Sequence, residues 1–229
     1  MVTRCLARRP ESMINMIGKN KPFDAWLGEW IKFAMSREGG REPRHTADEV
    51  SARALAYQGG DEVTGLGGLA AAATALSAQR ERLQRCRVFL GREVTRLHDA
   101  GGRWSDIAVY GGLGDSTVRT LEKAFLKGPA PGDDGFDREL HELANAAPSN
   151  PFWRVHELVG AWDFHSRIAD ELQDLLNRLC IELHDAGAPA GQIARHAGIS
   201  SATLAKRVED AEWGMLSGVP GLIAAREDD

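Results

Sequence analysis

An internal repeat constrains the fold of this chain more than any other feature of its sequence. The pentapeptide LHDAG occurs at 97–101 and again at 183–187, a shift of 86 residues. The register holds beyond the pentapeptide without a gap, so that Ile107 aligns with Ile193 and Gly112 with Gly198. Two copies are too few for a solenoid, which needs at least three repeats to bury a continuous core. The repeat therefore predicts two similar small modules in one chain.

Apolar residues follow helical spacing along the chain, and no segment alternates with a period of two residues. We therefore expect an all-α protein with two similar helical modules and an N-terminal helical extension. Helices are predicted over 22–35, where aromatic side chains should pack in the core, and over about 47–58, 69–100, 136–146 and 153–186. The last of these is either continuous or broken near Gly160.

Four segments follow from these patterns. They are an N-terminal helical extension (1–68), a first module (69–126), a linker with a short helix (127–151), and a second module with a C-terminal tail (152–229). The linker is placed by KGPAPGDDG at 127–135, where Pro, Gly and Asp leave nothing to bury. Each module is a long helix followed by two short ones.

The two short helices of each module are predicted from the chemistry of the turn between them. In the second copy Gly198 should end the first short helix in the left-handed conformation, which glycine adopts without steric cost. Ile199 would fill the crevice between the helices, and Ser200 would cap the next helix. Ile193, Ala194 and Leu204 would face the core. The corresponding first-copy residues are Ile107, Ala108, Gly112, Leu113, Asp115 as the cap, Val118 and Leu121.

With this spacing, each copy resembles a helix-turn-helix DNA-binding module of the type found in bacterial and phage transcriptional regulators. The resemblance implies that the second short helix enters the major groove and reads base edges. It implies these DNA-binding residues: Ser116, Thr117, Arg119, Thr120, Lys123, Ser201, Ala202, Thr203, Lys206 and Arg207. Arg119 would make a bidentate contact with guanine, and the hydroxyl groups would bind phosphates or bases. Arg207 stands where such modules usually have an apolar residue.

The resemblance also implies sequence-specific binding of double-stranded DNA, transcriptional regulation and a cytoplasmic, nucleoid-associated location. Two DNA-binding modules in one chain would each bind one half-site of an asymmetric operator. The net charge is +3 over residues 78–125 and −3 over 165–213, so we expect the first copy to dominate non-specific affinity. Two alternatives are a DNA-organising or plasmid-partition protein, and a protein-interaction module with degenerate helix-turn-helix units. The overall charge of −5 favours the last of these.

Enzyme, metal and membrane functions find no support in the sequence, so neither a catalytic role nor a cofactor is expected. The seven histidines form no H-E-x-x-H pattern, and the three cysteines have no close spacing. His98-Asp99 and His184-Asp185 recur at equivalent positions, where we interpret them as helix-terminal groups. No apolar run approaches the ~18 residues of a membrane span.

Two further features have alternative interpretations. The arginines along the first long helix would either follow DNA phosphates or form a solvated face; they are Arg80, Arg82, Arg85, Arg87, Arg92 and Arg96. The C-terminal tail is apolar enough to pack on the core, which we favour, or to form a homodimer. Its apolar residues are Trp213, Met215, Leu216, Val219, Leu222 and Ile223.

Overall fold

A computed structural model of the protein describes residues 22–36, 47–57, 64–127, 135–146 and 150–219. Within these residues every regular element is a helix, which confirms the all-α prediction. The nine described helices are α1 (Pro22–Ser36), α2 (Ala47–Tyr57), α3 (Gly65–Asp99), α4 (Trp104–Gly111), α5 (Asp115–Lys127), α6 (Gly135–Ala146), α7 (Pro151–Asp185), α8 (Ala190–His196) and α9 (Ser201–Glu212).

The two long helices have 35 residues each and lie at equivalent places in the repeat. Of the two alternatives for α7, the structure has the continuous helix, with no break at Gly160. Buried residues on both sides of this glycine, including Leu158, Val159 and Ile168, hold the helix by packing, which outweighs the weak helix propensity of one glycine. Residues 128–134, which form most of the KGPAPGDDG segment of the predicted linker, lie outside the described part of the chain.

The described chain divides into two compact units, and each unit takes segments from both copies of the repeat. The first unit contains α1, residues 82–99 of α3, α4, α5, α6 and residues 151–163 of α7. The second unit contains α2, residues 65–81 of α3, residues 164–185 of α7, α8 and α9. The sequence predicts contiguous modules, whereas each unit combines the helix pair of one copy with the start of the other copy's long helix.

The core of the first unit joins the two copies through large apolar side chains. Phe89 and Leu90 of α3 are fully buried together with Phe152, Val155 and Leu158 of α7. In the second unit a polar contact joins α3 and α7: Gln79 Nε2 lies 2.6 Å from His165 Nδ1 and donates to the His165 carbonyl oxygen at 3.1 Å. Gln79 and His165 occupy equivalent positions in the repeat. Each unit therefore depends on residues from both halves of the sequence.

The six arginines of α3 all contact groups inside their own unit, and Arg80, Arg87 and Arg96 remain exposed to solvent. Arg85 pairs with the buried Asp137 of α6 at 3.4 Å, and Arg80 donates to Gln173 of α7 at 2.9 Å. The other four guanidinium groups lie over aromatic rings, Arg82 over Phe136, Arg87 over Trp162, Arg92 over Phe89 and Arg96 over Trp26. Apart from the Arg92–Phe89 contact, which lies within α3, these contacts attach α3 to its neighbours through both charge and packing.

Candidate nucleic-acid interface

The turn between α4 and α5 has the geometry that its sequence predicts. Gly112 has a φ of 68°, in the left-handed region, and the Leu113 amide donates to the Ala108 carbonyl at 2.9 Å. Ile107 and Ala108 of α4 are buried, as is Val118 of α5. These contacts make a two-helix unit whose second helix has one face in the core and one face outside.

The same geometry recurs between α8 and α9. Gly198 has a φ of 65°, and the Ile199 amide donates to the Ala194 carbonyl at 3.0 Å. The Ser200 side chain accepts a hydrogen bond from the Thr203 amide at 3.0 Å, which confirms the predicted cap. Leu204 is buried, as predicted.

The corresponding cap in the first copy differs from the prediction. Helix α5 begins at Asp115, so this residue belongs to the first turn and Gly114 occupies the position of Ser200. The assignment of Asp115 as the cap is therefore wrong. The register of the repeat explains this result, because Asp115 aligns with Ser201 and not with Ser200. A carboxylate in the first turn still interacts favourably with the helix dipole.

The candidate residues of α5 lie on its outer surface. Ser116, Arg119, Thr120 and Lys123 are exposed, and Thr117 is half-buried. Their spacing of three and four residues places Ser116, Arg119, Thr120 and Lys123 on one side of the helix. Among the described residues, neither Arg119 nor Lys123 has an ion-pair partner. The helix therefore presents a polar, positively charged face.

The candidate residues of α9 form a face with less charge. Ser201, Ala202, Thr203 and Lys206 are exposed, and the Ser200 and Thr203 hydroxyl oxygens lie 2.8 Å apart. Lys206 is the one exposed cation in this helix, whereas Glu209 and Glu212 are exposed near its C-terminus. The start of α9 thus offers small side chains and hydroxyl groups, and its end is acidic.

Arg207 differs from the other candidates because its half-buried guanidinium lies beside the buried Cys180 thiol of α7. Burial raises the pKa of the Cys180 thiol, and the hydrogen-bonded guanidinium of Arg207 opposes that rise. The Nη1 atom of Arg207 is buried and has no hydrogen-bond partner among the described residues. In the repeat, Arg207 and Cys180 occupy the positions of the buried pair Leu121 and Val94. Arg207 therefore fills a core position with a charged group.

We expect Arg207→Leu to stabilise the protein by about 1 kcal/mol, because an apolar side chain removes a partly buried, incompletely bonded charge. The change should leave any affinity for DNA unaltered, since the guanidinium faces α7. The reciprocal variant Leu121→Arg should destabilise the protein by about 3–5 kcal/mol, because it buries a charge among apolar groups. Denaturant unfolding and DNA binding of both variants measure these effects. A loss of DNA affinity in Arg207→Leu would show that Arg207 contributes to DNA binding.

Helix α5 approaches the long helix α3 very closely, and a glycine makes this possible. A Cβ atom at Gly91 would overlap the Leu121 carbonyl oxygen and lie 2.8 Å from Phe125 Cβ. The first of these atoms belongs to the backbone of α5, which cannot move aside as a flexible side chain could. The equivalent position in the second unit is Asn177, whose side-chain amide donates to the Ser217 carbonyl at 3.1 Å. At this position of the repeat, the first unit therefore has a close helix–helix contact and the second unit has a hydrogen bond to the segment after α9.

Helix α1 supports the first helix pair in a way that sequence reasoning missed. Trp30 Nε1 donates to the Tyr110 carbonyl at the end of α4 at 3.0 Å. Trp30 also stacks on Phe152, while the ring of Phe23 lies against the turn at Gly102. The predicted core role of the aromatic residues in 22–35 is confirmed at these positions. The sequence pattern within 22–36 could not indicate which helix these aromatic side chains contact.

The described residues contain no group of three or more His, Cys, Asp and Glu side chains that could hold a metal ion. His98 stacks on Trp104 with ring centroids 3.9 Å apart, and His184 Nδ1 lies 3.3 Å from Asp185 Oδ1, both at ends of long helices. Burial raises the pKa of Cys86 to about 12, which leaves an unreactive thiol. None of the described helices has the combination of length and apolarity that crossing a bilayer requires.

No family model, curated protein or solved structure matches the chain.

Proposed function

We propose that the protein binds double-stranded DNA sequence-specifically through α5 and α9, and that it regulates transcription at the nucleoid. The observation that carries the proposal is the recurrence of one helix-pair geometry in both units. In each unit a left-handed glycine joins two short helices, and the second helix buries one face while exposing a polar one. An exposed helix of this kind fits the major groove, where side chains reach base edges.

Differences between the two exposed faces support unequal roles in binding. Arg119 suits a bidentate contact with guanine, and Lys123 suits a phosphate. Helix α9 has Lys206 as its exposed cation, and the methyl groups of Ala202 and Thr203 suit the methyl group of thymine. The site would therefore be asymmetric, with the first unit contributing most of the salt-dependent affinity.

Replacing Arg119 by Ala should weaken binding to the preferred sequence by about 1–3 kcal/mol and relax the base preference at one position, because a bidentate base contact is lost. Lys206→Ala should weaken binding uniformly across sequences and reduce the salt slope by about 1, as expected for a phosphate contact. Fluorescence anisotropy with labelled duplexes measures both effects.

Arg138→Ala is the matched control, because Arg138 is an exposed arginine of the same unit that lies on α6, outside the candidate face. It removes the same charge and should leave the base preference intact. If Arg119→Ala and Lys206→Ala both bind like the control, α5 and α9 are not the recognition helices.

Selection of bound sequences from random DNA separates regulation from the organisation of bulk DNA. A regulator should enrich a bipartite, non-palindromic motif, because the faces of α5 and α9 differ. A DNA-organising protein should bind with no enriched motif. Enrichment of a palindrome would contradict the proposal that two unlike helices read the site.

A further inference from the structure

Apolar side chains are exposed at the ends of the two candidate recognition helices. In the described part of the chain four large hydrophobic side chains are exposed, and three of them lie at the C-terminal ends of α5 and α9. These are Leu126, which is 67% exposed, Trp213, which is 64% exposed, and Met215, which is 67% exposed. The tail residues Trp213 and Met215 therefore do not pack on the core, and the favoured interpretation of the tail is wrong for them. Exposed Trp and Met side chains in proximity are typical of interaction surfaces.

The loop after α9 holds Trp213 and Met215 on a backbone that is fixed at both ends. At its start the Met215 amide donates to the Asp210 carbonyl at 2.7 Å. At its end Ser217 Oγ donates to Asp174 Oδ1 at 2.6 Å, and Gly218, with a φ of 77°, packs against the same aspartate. A surface with an ordered backbone loses little conformational entropy when it binds.

The charges around the two helix ends are opposite. Exposed Glu209 and Glu212 and half-buried Asp210 accompany Trp213 and Met215 at the end of α9. At the end of α5, exposed Lys123 and Lys127 flank Leu126, with the half-buried Glu122 as the local carboxylate. Pairing two α9 ends would bring carboxylates together, which is unfavourable. Pairing an α9 end with an α5 end would combine apolar contact with attraction between opposite charges.

We propose that the end of α9 in one copy of the protein binds the end of α5 in a second copy. The contact joins two different surfaces, so it is heterologous, and each copy retains a free end that can bind a further copy. This association does not depend on DNA binding. Because the apolar area is small and the charges are exposed, it should be weak and should decrease as the salt concentration rises.

Sedimentation velocity of the full-length chain without DNA tests the proposal over a range of protein concentrations at low and high salt. The wild-type protein should self-associate at low salt. The double variant Trp213→Ser, Met215→Ser should associate at least roughly tenfold more weakly, because it removes the central apolar contacts. Val109→Ser is the matched control, since Val109 is 48% exposed on α4, outside both helix ends, and its loss should change nothing.

Charge reversal identifies the pairing. Lys127→Glu and Glu212→Lys should each weaken self-association, and mixing the two variants should restore it, because the reversed ends are complementary. An equal mixture that stays monomeric would overturn the heterologous pairing. The proposal as a whole fails if the wild-type protein is monomeric at all concentrations at low salt, or if the Trp213, Met215 double variant associates like wild type.

Discussion

Replacing Gly91 by Ala should displace α5 from α3 and destabilise the protein by about 3 kcal/mol, at the upper end of the usual cost of overpacking. The added Cβ would overlap the Leu121 carbonyl oxygen and press on Phe125, so the backbone of α5 must move. If α5 reads DNA as proposed, DNA affinity should fall with stability, because α5 carries Arg119 and Lys123. Hydrogen exchange should show the largest loss of protection in α4 and α5.

Gly67→Ala is the control, because it makes the same substitution in the same helix at a position with no close neighbour. Nothing lies within 4 Å of a Cβ atom at Gly67, and alanine favours a helix over glycine by about 0.5–1 kcal/mol. This variant should be as stable as wild type or more stable. If Gly91→Ala also keeps its stability and its protection in α5, the close approach of α5 to α3 does not position this candidate recognition helix.

Replacing Trp30 by Ala should destabilise the protein by about 3–5 kcal/mol, the usual cost of truncating a buried Trp. The variant loses the ring stacking on Phe152 and the hydrogen bond to the Tyr110 carbonyl. Protection from hydrogen exchange should fall in α4 and α5 more than in α8 and α9, because Trp30 belongs to the first unit.

Trp213→Ala is the matched control for Trp30→Ala, since Trp213 is 64% exposed and its truncation should change stability by less than about 0.5 kcal/mol. Equal losses in the two tryptophan variants would contradict the role of Trp30 as a core anchor. A uniform loss of protection across all four short helices would contradict the assignment of α1 to the first unit.

Local chemistry made the two helix pairs predictable from sequence. The left-handed glycines at 112 and 198 and the cap at Ser200 depend on residues within a few positions of each other. Such interactions leave a readable pattern because steric limits on φ and the unsatisfied amides of a helix start are properties of short segments. The repeat strengthened the prediction, because the same pattern occurs twice in one register.

The composition of the units could not be predicted, because it depends on contacts between distant segments. A contiguous module and an interleaved one have the same helical periodicity, so nothing in the sequence placed residues 151–163 of α7 beside α4. The arginines of α3 illustrate the same limit: spacing put them on a helix but did not reveal Asp137 or Trp162 as partners.

All but two of the candidate site residues are exposed, as the helical pattern predicts. Thr117 is half-buried, and Arg207 turns towards Cys180. The sequence did contain a signal for Arg207, since it aligns with the apolar Leu121 and so with a core position. The charge of Arg207 favours a DNA contact, and its position in the repeat favours the core; in the structure its side chain is half-buried beside Cys180.

Binding to bulk genomic DNA fragments over a salt titration tests the central claim most directly. If α5 and α9 lie on DNA, the protein should bind at low salt, and the logarithm of its association constant should fall linearly with the logarithm of salt concentration. The slope should be about −0.9 for each phosphate contacted, so several contacts give a steep decline. An absence of binding at low salt, or binding that does not weaken as salt rises, would contradict the account.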